Sequence, residues 1–304
     1  MATSPFDRTK FVSELTALCH SLDAPYSQQK VEQILSAFDE HLDNSYVWLR
    51  CTSKPKDIVN FRLAFHGKFV DTTSIEANAG WIDIENPLAK VNRSWSSRAN
   101  AEEWCDFDPS RGIAKNWVYF QRIQPFQEIL SASGLPAAAA SRVPDLQAAG
   151  LDDQVNFAAV DYTNKSINVY FLLDGGLTAE RAAKYVALAG SKPPSEEEVQ
   201  VMSDHMNPMF TFGVTIIPET GHIPRVAFYA TVGDAESFPP LKDHERLRKF
   251  YREAPCHDPK RLEIICWSYG ADDSNKYMKG EASYAGYNED FSRRMFERWI
   301  ESPA

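Results

Sequence analysis

One or two helical segments followed by two strand-like segments recur five times along this 304-residue chain, and that recurrence limits its fold more than any other feature. Residues 8–21 place Phe11, Leu15 and Leu18 on one helical face, and residues 27–42 repeat the pattern with Val31, Ile34, Leu35 and Phe38. Strand-like runs follow at 45–52 and 58–66. Later cycles read as helices near 73–79 and 86–98 with strands at 103–108 and 113–121, then helices near 124–132 and 143–149 with strands at 154–162 and 165–172. Helices at 178–189 and 195–204 precede strands at 208–217 and 223–231; a helix at 242–253, strands at 261–268 and 276–285, and a helix near 288–301 close the chain. Turn residues such as Pro218-Glu219-Thr220-Gly221 separate the paired strands, so each pair is an antiparallel hairpin. A sheet of ten strands with helices on one side curls, and closure removes its exposed edges. The reading is therefore α+β, a closed ten-stranded antiparallel barrel wrapped by helices, forming one domain over residues 1–304. An open α+β sheet in one or two domains satisfies the same pattern.

Alternation along the strands says what such a barrel would contain. A strand sends successive side chains to opposite faces. In Val160–Leu172, Asn164, Ser166, Asn168 and Tyr170 share one face, while Ile167, Val169 and Phe171 share the other. Helices outside the barrel need the apolar face, so the polar face points into the lumen. The same rule sends inward Asn60, Arg62 and Ala64; Lys115, Trp117 and Tyr119; Ile223, Arg225, Ala227 and Tyr229; and Tyr277, Lys279, Glu281 and Ser283. Four cations among large aromatic rings suit a phosphate beside a flat organic partner. Buried cations are costly without anionic company, which here means Glu281 or a ligand. Each Arg or Lys on a solvated face of an ordinary sheet is the competing interpretation.

The totals narrow the partners. The formal charge of −10 argues against nucleic acid and against anionic membranes. Five scattered cysteines without a CxxC pair read as reduced thiols of a cytoplasmic protein. No secretory pattern or membrane-length apolar run is present. Asp152-Asp153 and Asp272-Asp273 do not extend to DDxxD, and neither a P-loop, GxGxxG nor HExxH appears. The seven histidines lack ligand spacing, so no metal site is expected.

The runs AVDYTNKSINVYF (159–171), RGIAKNWVYF (111–120), IPETGHIPRVAFYA (217–230) and KYMKGEASYAGY (276–287) resemble the soluble aromatic prenyltransferases of the ABBA barrel type, in matching order over nearly the whole chain. The pattern DY-x3-S-I/V-N-x-Y-F is the most specific of them. The resemblance implies five α-α-β-β units and transfer of a prenyl group from its diphosphate to an electron-rich aromatic ring. It implies diphosphate contacts from Arg62, Lys115, Arg225, Lys279 and Asn168, and Asn60 is expected among the residues of the same diphosphate site. Three positions depart from the family's pattern. Magnesium-dependent members carry aspartate where this chain has Asn60, a weaker ligand for a hard cation, so turnover without a metal or other cofactor is expected. A family lysine matches Asn164, with Lys165 one step out of phase; a family tyrosine matches Gly213, which is expected to enlarge the cavity or shift the phosphate.

On this resemblance the donor is dimethylallyl diphosphate, favoured over geranyl by the family's habits, and the chain acts as a monomer on small molecules. Trp117, Tyr170, Tyr229 and Tyr277 would screen an allyl cation with their ring faces; Tyr119, Phe157, Met209, Thr211, Gly213 and Ser283 would shape the organic part of the site. Glu281 would take the ring proton or polarise an acceptor hydroxyl, or else serve as counter-ion to Lys279. A non-catalytic barrel binding a phosphorylated or aromatic molecule, and an interaction protein with its cations outside, are the alternatives.

Overall fold

The computed structural model describes residues 6–286 apart from 66–68, 99, 207, 233–234, 236–237 and 273–274. The helix expected near 288–301 lies outside the described residues. Ten strands form the sheet: β1 (Tyr46–Thr52), β2 (Asn60–Ala64), β3 (Glu102–Asp108), β4 (Gly112–Gln124), β5 (Val155–Asp161), β6 (Ser166–Asp174), β7 (Met209–Ile217), β8 (His222–Val232), β9 (Glu263–Tyr269) and β10 (Tyr277–Ala285). Each is antiparallel to the next, and β10 pairs with β1, with Glu281 opposite Arg50, so the barrel closes.

Helices precede the hairpins and pack on the outside. Asp7 caps Arg8–Ser21 by accepting from the Lys10 amide at 2.9 Å, and Ser195 with Glu198 forms a capping box on Glu196–Ser203. The helix faces carrying Phe11, Leu15 and Leu18, and Val31, Ile34 and Leu35, are buried against the outward strand residues, among them Phe61, Leu63, Val118, Phe171 and Phe228. Fully burying each such side chain contributes about 1.5–3 kcal/mol. A second, separate apolar cluster of Trp104, Trp117, Tyr119, Phe157, Ala159 and Tyr170 fills part of the lumen. Two clusters on opposite faces of one sheet are what period-two alternation demands of a coated barrel.

Ile223 departs from the expected phase. Between Thr215↔Arg225 and Ile217↔His222 the partner strand carries one extra residue, and this bulge turns Ile223 into the outer core. The lumen face of β8 therefore starts at Arg225. Among the described residues, no helix is long and apolar enough to cross a membrane.

Candidate active site

The register puts Arg62, Asp106, Lys115 and Asp161 directly opposite one another on β2, β3, β4 and β5. Charges therefore alternate around one arc of the lumen wall. Arg62 holds Asp106 through Nε at 2.6 Å and Nη2 at 3.2 Å, and reaches Glu281 through Nη1 at 3.0 Å. Arg50 joins them, donating to Asp106 at 3.2 Å and to the Asn60 amide oxygen at 2.9 Å. Burial alone would raise the Asp106 pKa, but Arg62 and Arg50 outweigh it and hold the carboxyl below its usual range. Lys115 pairs with Asp161 at 2.8 Å. Burial opposes ionisation of Asp161 as well, yet Lys115 and two Asn164 donors bring its pKa down to about 2.

Arg225 and Lys279 are different: no carboxylate among the described residues pairs with either. Arg225 donates to the Thr215 hydroxyl at 3.1 Å and to the Tyr277 hydroxyl. Lys279, 7% exposed, has one long contact, to the Tyr229 hydroxyl at 3.5 Å. Its pKa is lowered by burial, helped by the neighbouring positive charges of Arg225 and Lys115. Thr215 also donates to Asn168 Oδ1 at 2.8 Å, leaving Asn168 Nδ2 and Arg225 Nε as buried donors without a partner. Unpaired buried donors beside uncompensated cations are costly, and an anionic ligand is the kind of group that would offset that cost.

A layer of rings lies next to these cations. Tyr170 stacks on Trp117 at 4.7 Å, the Arg62 guanidinium lies 4.4 Å over the Trp117 ring, and Tyr229 meets Tyr170 edge-on at 5.8 Å. Burial pushes the Tyr170 and Tyr229 phenols up, so both stay neutral. Beyond them a cavity of about 430 Å³ opens between Trp48, Trp104, Phe157, Met209, Thr211 and Ile264, with Arg62 and Glu281 on its wall. The lumen thus joins a cationic end to an apolar chamber through a collar of π faces.

The structure brings Arg62, Lys115, Asn168, Arg225, Lys279, Trp117, Tyr170, Tyr229 and Glu281 into this one lumen. Several expected placements change. Glu281 pairs with Arg62 and not with Lys279, because the closing register sets it opposite Arg50, beside Arg62's strand. Tyr277 sits at the cationic end with Arg225 and Lys279, not around the apolar chamber. Tyr119 lies behind Phe157, stacked on it at 4.7 Å. Ser283 is spent on the Leu262 amide at 3.0 Å and does not line the chamber. Asn164 and Lys165 are exposed in the β5–β6 turn, where Lys165 takes a φ of 48° and the Asn164 side-chain amide is held by Asp161 at 2.9 Å. Gly213 opens no space, since a Cβ there would lie 2.9 Å from Tyr170 Cε1: the tyrosine ring already rests on the glycine. Replacing Gly213 with Ala is expected to cost about 1–3 kcal/mol in urea unfolding by pushing Tyr170 off Trp117. In a Tyr170→Ala background the same change should cost far less.

Arg50, Asp106, Asp161, Trp48 and Trp104 were not expected. Alternation along YVWLRCT and EEWCDFD sends Trp48 and Arg50, and Trp104 and Asp106, to the lumen, so the signal was available.

Comparison with known proteins decides the family. The family described as "Aromatic prenyltransferase Orf2" matches residues 6–293. The chain belongs to this family. An aromatic prenyltransferase of Sclerotinia sclerotiorum is 34% identical over 291 residues, covering 93% of this chain and 92% of the relative. A 4-hydroxyphenylpyruvate 3-dimethylallyltransferase of Streptomyces niveus is 33% identical over 283 residues, covering 92% and 86%. The crystal structure of the prenyltransferase PriB with L-tryptophan and dimethylallyl thiolodiphosphate superposes with a TM-score of 0.60 at 13% identity, covering 92% of this chain and 96% of that one. At that identity the likeness concerns the barrel alone. The protein is an aromatic prenyltransferase, and the readings as a non-catalytic binder or an interaction protein fall away. The geometry removes the second of these independently, since the cations lie inside.

Proposed function

We propose that this aromatic prenyltransferase moves a dimethylallyl group from its diphosphate to a ring carbon of a hydroxylated aromatic acceptor, without a metal ion. The observation that carries the reading is the pair of uncompensated cations, Arg225 and Lys279, set against a neutral aromatic collar. Arg225, Lys279 and Asn168 Nδ2 bind the diphosphate, while Lys115 and Arg62, balanced by Asp161, Asp106 and Glu281, frame the same lumen wall. As the C1–O bond breaks, its electron pair stays on the diphosphate, where this preorganised charge stabilises it. Trp117, Tyr170 and Tyr229 face the allyl cation and keep water from it, each ring contributing about 0.5–2 kcal/mol. The acceptor lies in the chamber lined by Phe157, Met209 and Thr211, attacks through carbon, and loses its ring proton to Glu281.

The donor set supports turnover without magnesium. Asp106, Asp161 and Glu281 are each engaged by Arg or Lys, and the Asn60 amide oxygen accepts from Arg50. No group of three acidic, His or Cys side chains among the described residues is disposed to hold a metal. A chamber near the small end of the usual range, about 300–1,000 Å³ for ligand pockets, favours a five-carbon chain with a single-ring acceptor over geranyl. The Streptomyces niveus relative, named for 4-hydroxyphenylpyruvate, points to a 4-hydroxyphenyl compound as the acceptor class. Free buried thiols at Cys19, Cys51, Cys105 and Cys266 support a reducing, cytoplasmic setting. The only large apolar side chains exposed among the described residues, Phe69 and Ile123, are too few for an obligate interface, which supports a single-domain monomer.

The test is product formation from dimethylallyl diphosphate with a series of hydroxylated aromatics, 4-hydroxyphenylpyruvate included, with and without EDTA. Full activity in EDTA is expected. Loss that magnesium restores would overturn the metal-free reading, and faster transfer from geranyl diphosphate would overturn the choice of donor.

A further inference from the structure

β10 presents a phenol, an ammonium and a carboxylate at its three successive inward positions, Tyr277, Lys279 and Glu281. The reaction gives the carboxylate a proton to accept and the ammonium an anion to bind. It leaves the phenol without a task. We propose that Tyr277 is the acid that gives a proton to the departing diphosphate. The inference rests on the diphosphate-donor reading above.

The surroundings of Tyr277 differ from those of Tyr170 and Tyr229. Arg225 donates to its hydroxyl oxygen, which leaves the hydroxyl proton free to point elsewhere. Lys279 Nζ lies 5.5 Å from its ring centroid and the Arg225 guanidinium 5.8 Å. Lys54, from the β1–β2 loop, is closer still, at 4.0 Å. That loop is built to stay in place: Arg246 donates to the carbonyls of Leu22, Thr52 and Asp57, and Ser53 exchanges hydrogen bonds with the Met278 backbone at 2.9 and 3.1 Å. Cys266 and Ser268 face Tyr277 from β9; on the outer side Glu198, Asp243 and His244 line the adjoining groove.

Three cations around one phenol have a direct consequence. Burial opposes its ionisation, but Lys279 and Arg225, with Lys54, prevail and bring the Tyr277 pKa down to about 8, whereas burial prevails at Tyr170 and Tyr229. An acid is most effective with a pKa near the working pH. Bound diphosphate restores negative charge beside Tyr277, so the phenol is protonated when the donor is in place. On cleavage, the C1–O electron pair goes to the leaving oxygen and the Tyr277 proton passes to a non-bridging diphosphate oxygen. The phenolate is held by Arg225, Lys279 and Lys54. The acceptor's ring proton goes to Glu281, and exchange with water after release returns one proton to Tyr277 and takes one from Glu281. The net change is one ring proton lost and one protonated diphosphate released.

The test compares wild type, Tyr277→Phe, and enzyme carrying 3,5-difluorotyrosine at position 277. Product formation by the wild type settles the underlying reading separately. An ultraviolet difference titration of wild type against Tyr277→Phe should show one phenol ionising near pH 8. kcat/KM for dimethylallyl diphosphate should fall as pH rises through that midpoint in wild type, be about 100-fold lower in Tyr277→Phe, and show its fall at lower pH with difluorotyrosine. Lys279 losing its proton would also depress the rate at high pH, but fluorination leaves that limb where it is. The proposal is overturned if Tyr277→Phe keeps wild-type kcat and loses only pyrophosphate affinity, or if fluorination does not move the limb. Should Tyr277→Phe fail to fold, the fluorinated enzyme, which keeps ring and hydroxyl, decides alone.

Discussion

Replacing Glu281 with Gln is expected to lower kcat about 100-fold while leaving affinity for inorganic pyrophosphate unchanged or slightly tighter. Glu281 stands on the chamber wall, and its Oε2 lies 3.0 Å from Arg62. Glutamine keeps a carbonyl oxygen for that guanidinium, so Arg62 stays in place. What disappears is the negative charge and the capacity to accept the ring proton. Removing an anion from a cationic lumen cannot weaken the attraction for another anion, whatever its effect on chemistry. Steady-state turnover and a thermal-shift titration with pyrophosphate check the two halves. Weaker pyrophosphate binding with an unchanged kcat would make Glu281 a counter-ion that only positions Arg62.

That outcome turns on a pairing the sequence does not reveal. Alternation within NFRLAF, AKNWVYF and YMKGEASY is enough to send Arg62, Lys115, Lys279 and Glu281 inward, because facing is a property of one strand. Which cation meets which acid is a property of register across strands. Glu281 and Arg62 are 219 residues apart and meet only through the β10–β1 closure. Depth along the barrel axis is equally hidden: Tyr229 and Tyr277 both face inward, yet one meets the aromatic collar and the other the cationic end. The bulge that turns Ile223 outward follows no composition signal beyond Pro224, which has no amide to give a ladder. Gly213 reads as space in a sequence, whereas in the fold it is the seat of the Tyr170 ring.

Arg225 and Arg62 should respond to substitution in opposite ways. Arg225→Met is expected to lower kcat/KM for dimethylallyl diphosphate at least about 100-fold, since one or two charge-assisted hydrogen bonds of about 1.5–3 kcal/mol each are lost. The stability of the free protein should hardly change, because no carboxylate among the described residues depends on Arg225. Arg62→Met should do the reverse first: it strips Glu281 of its partner and leaves Asp106 with Arg50 alone. Breaking such a buried pair costs about 3–5 kcal/mol, to be read in a denaturant melt without ligand. Pyrophosphate should still stabilise the Arg62 variant against heat and give the Arg225 variant little or no shift. A large loss of ligand-free stability in Arg225→Met, with pyrophosphate binding intact, would mean that Arg225 holds the barrel together and that the anion is bound elsewhere.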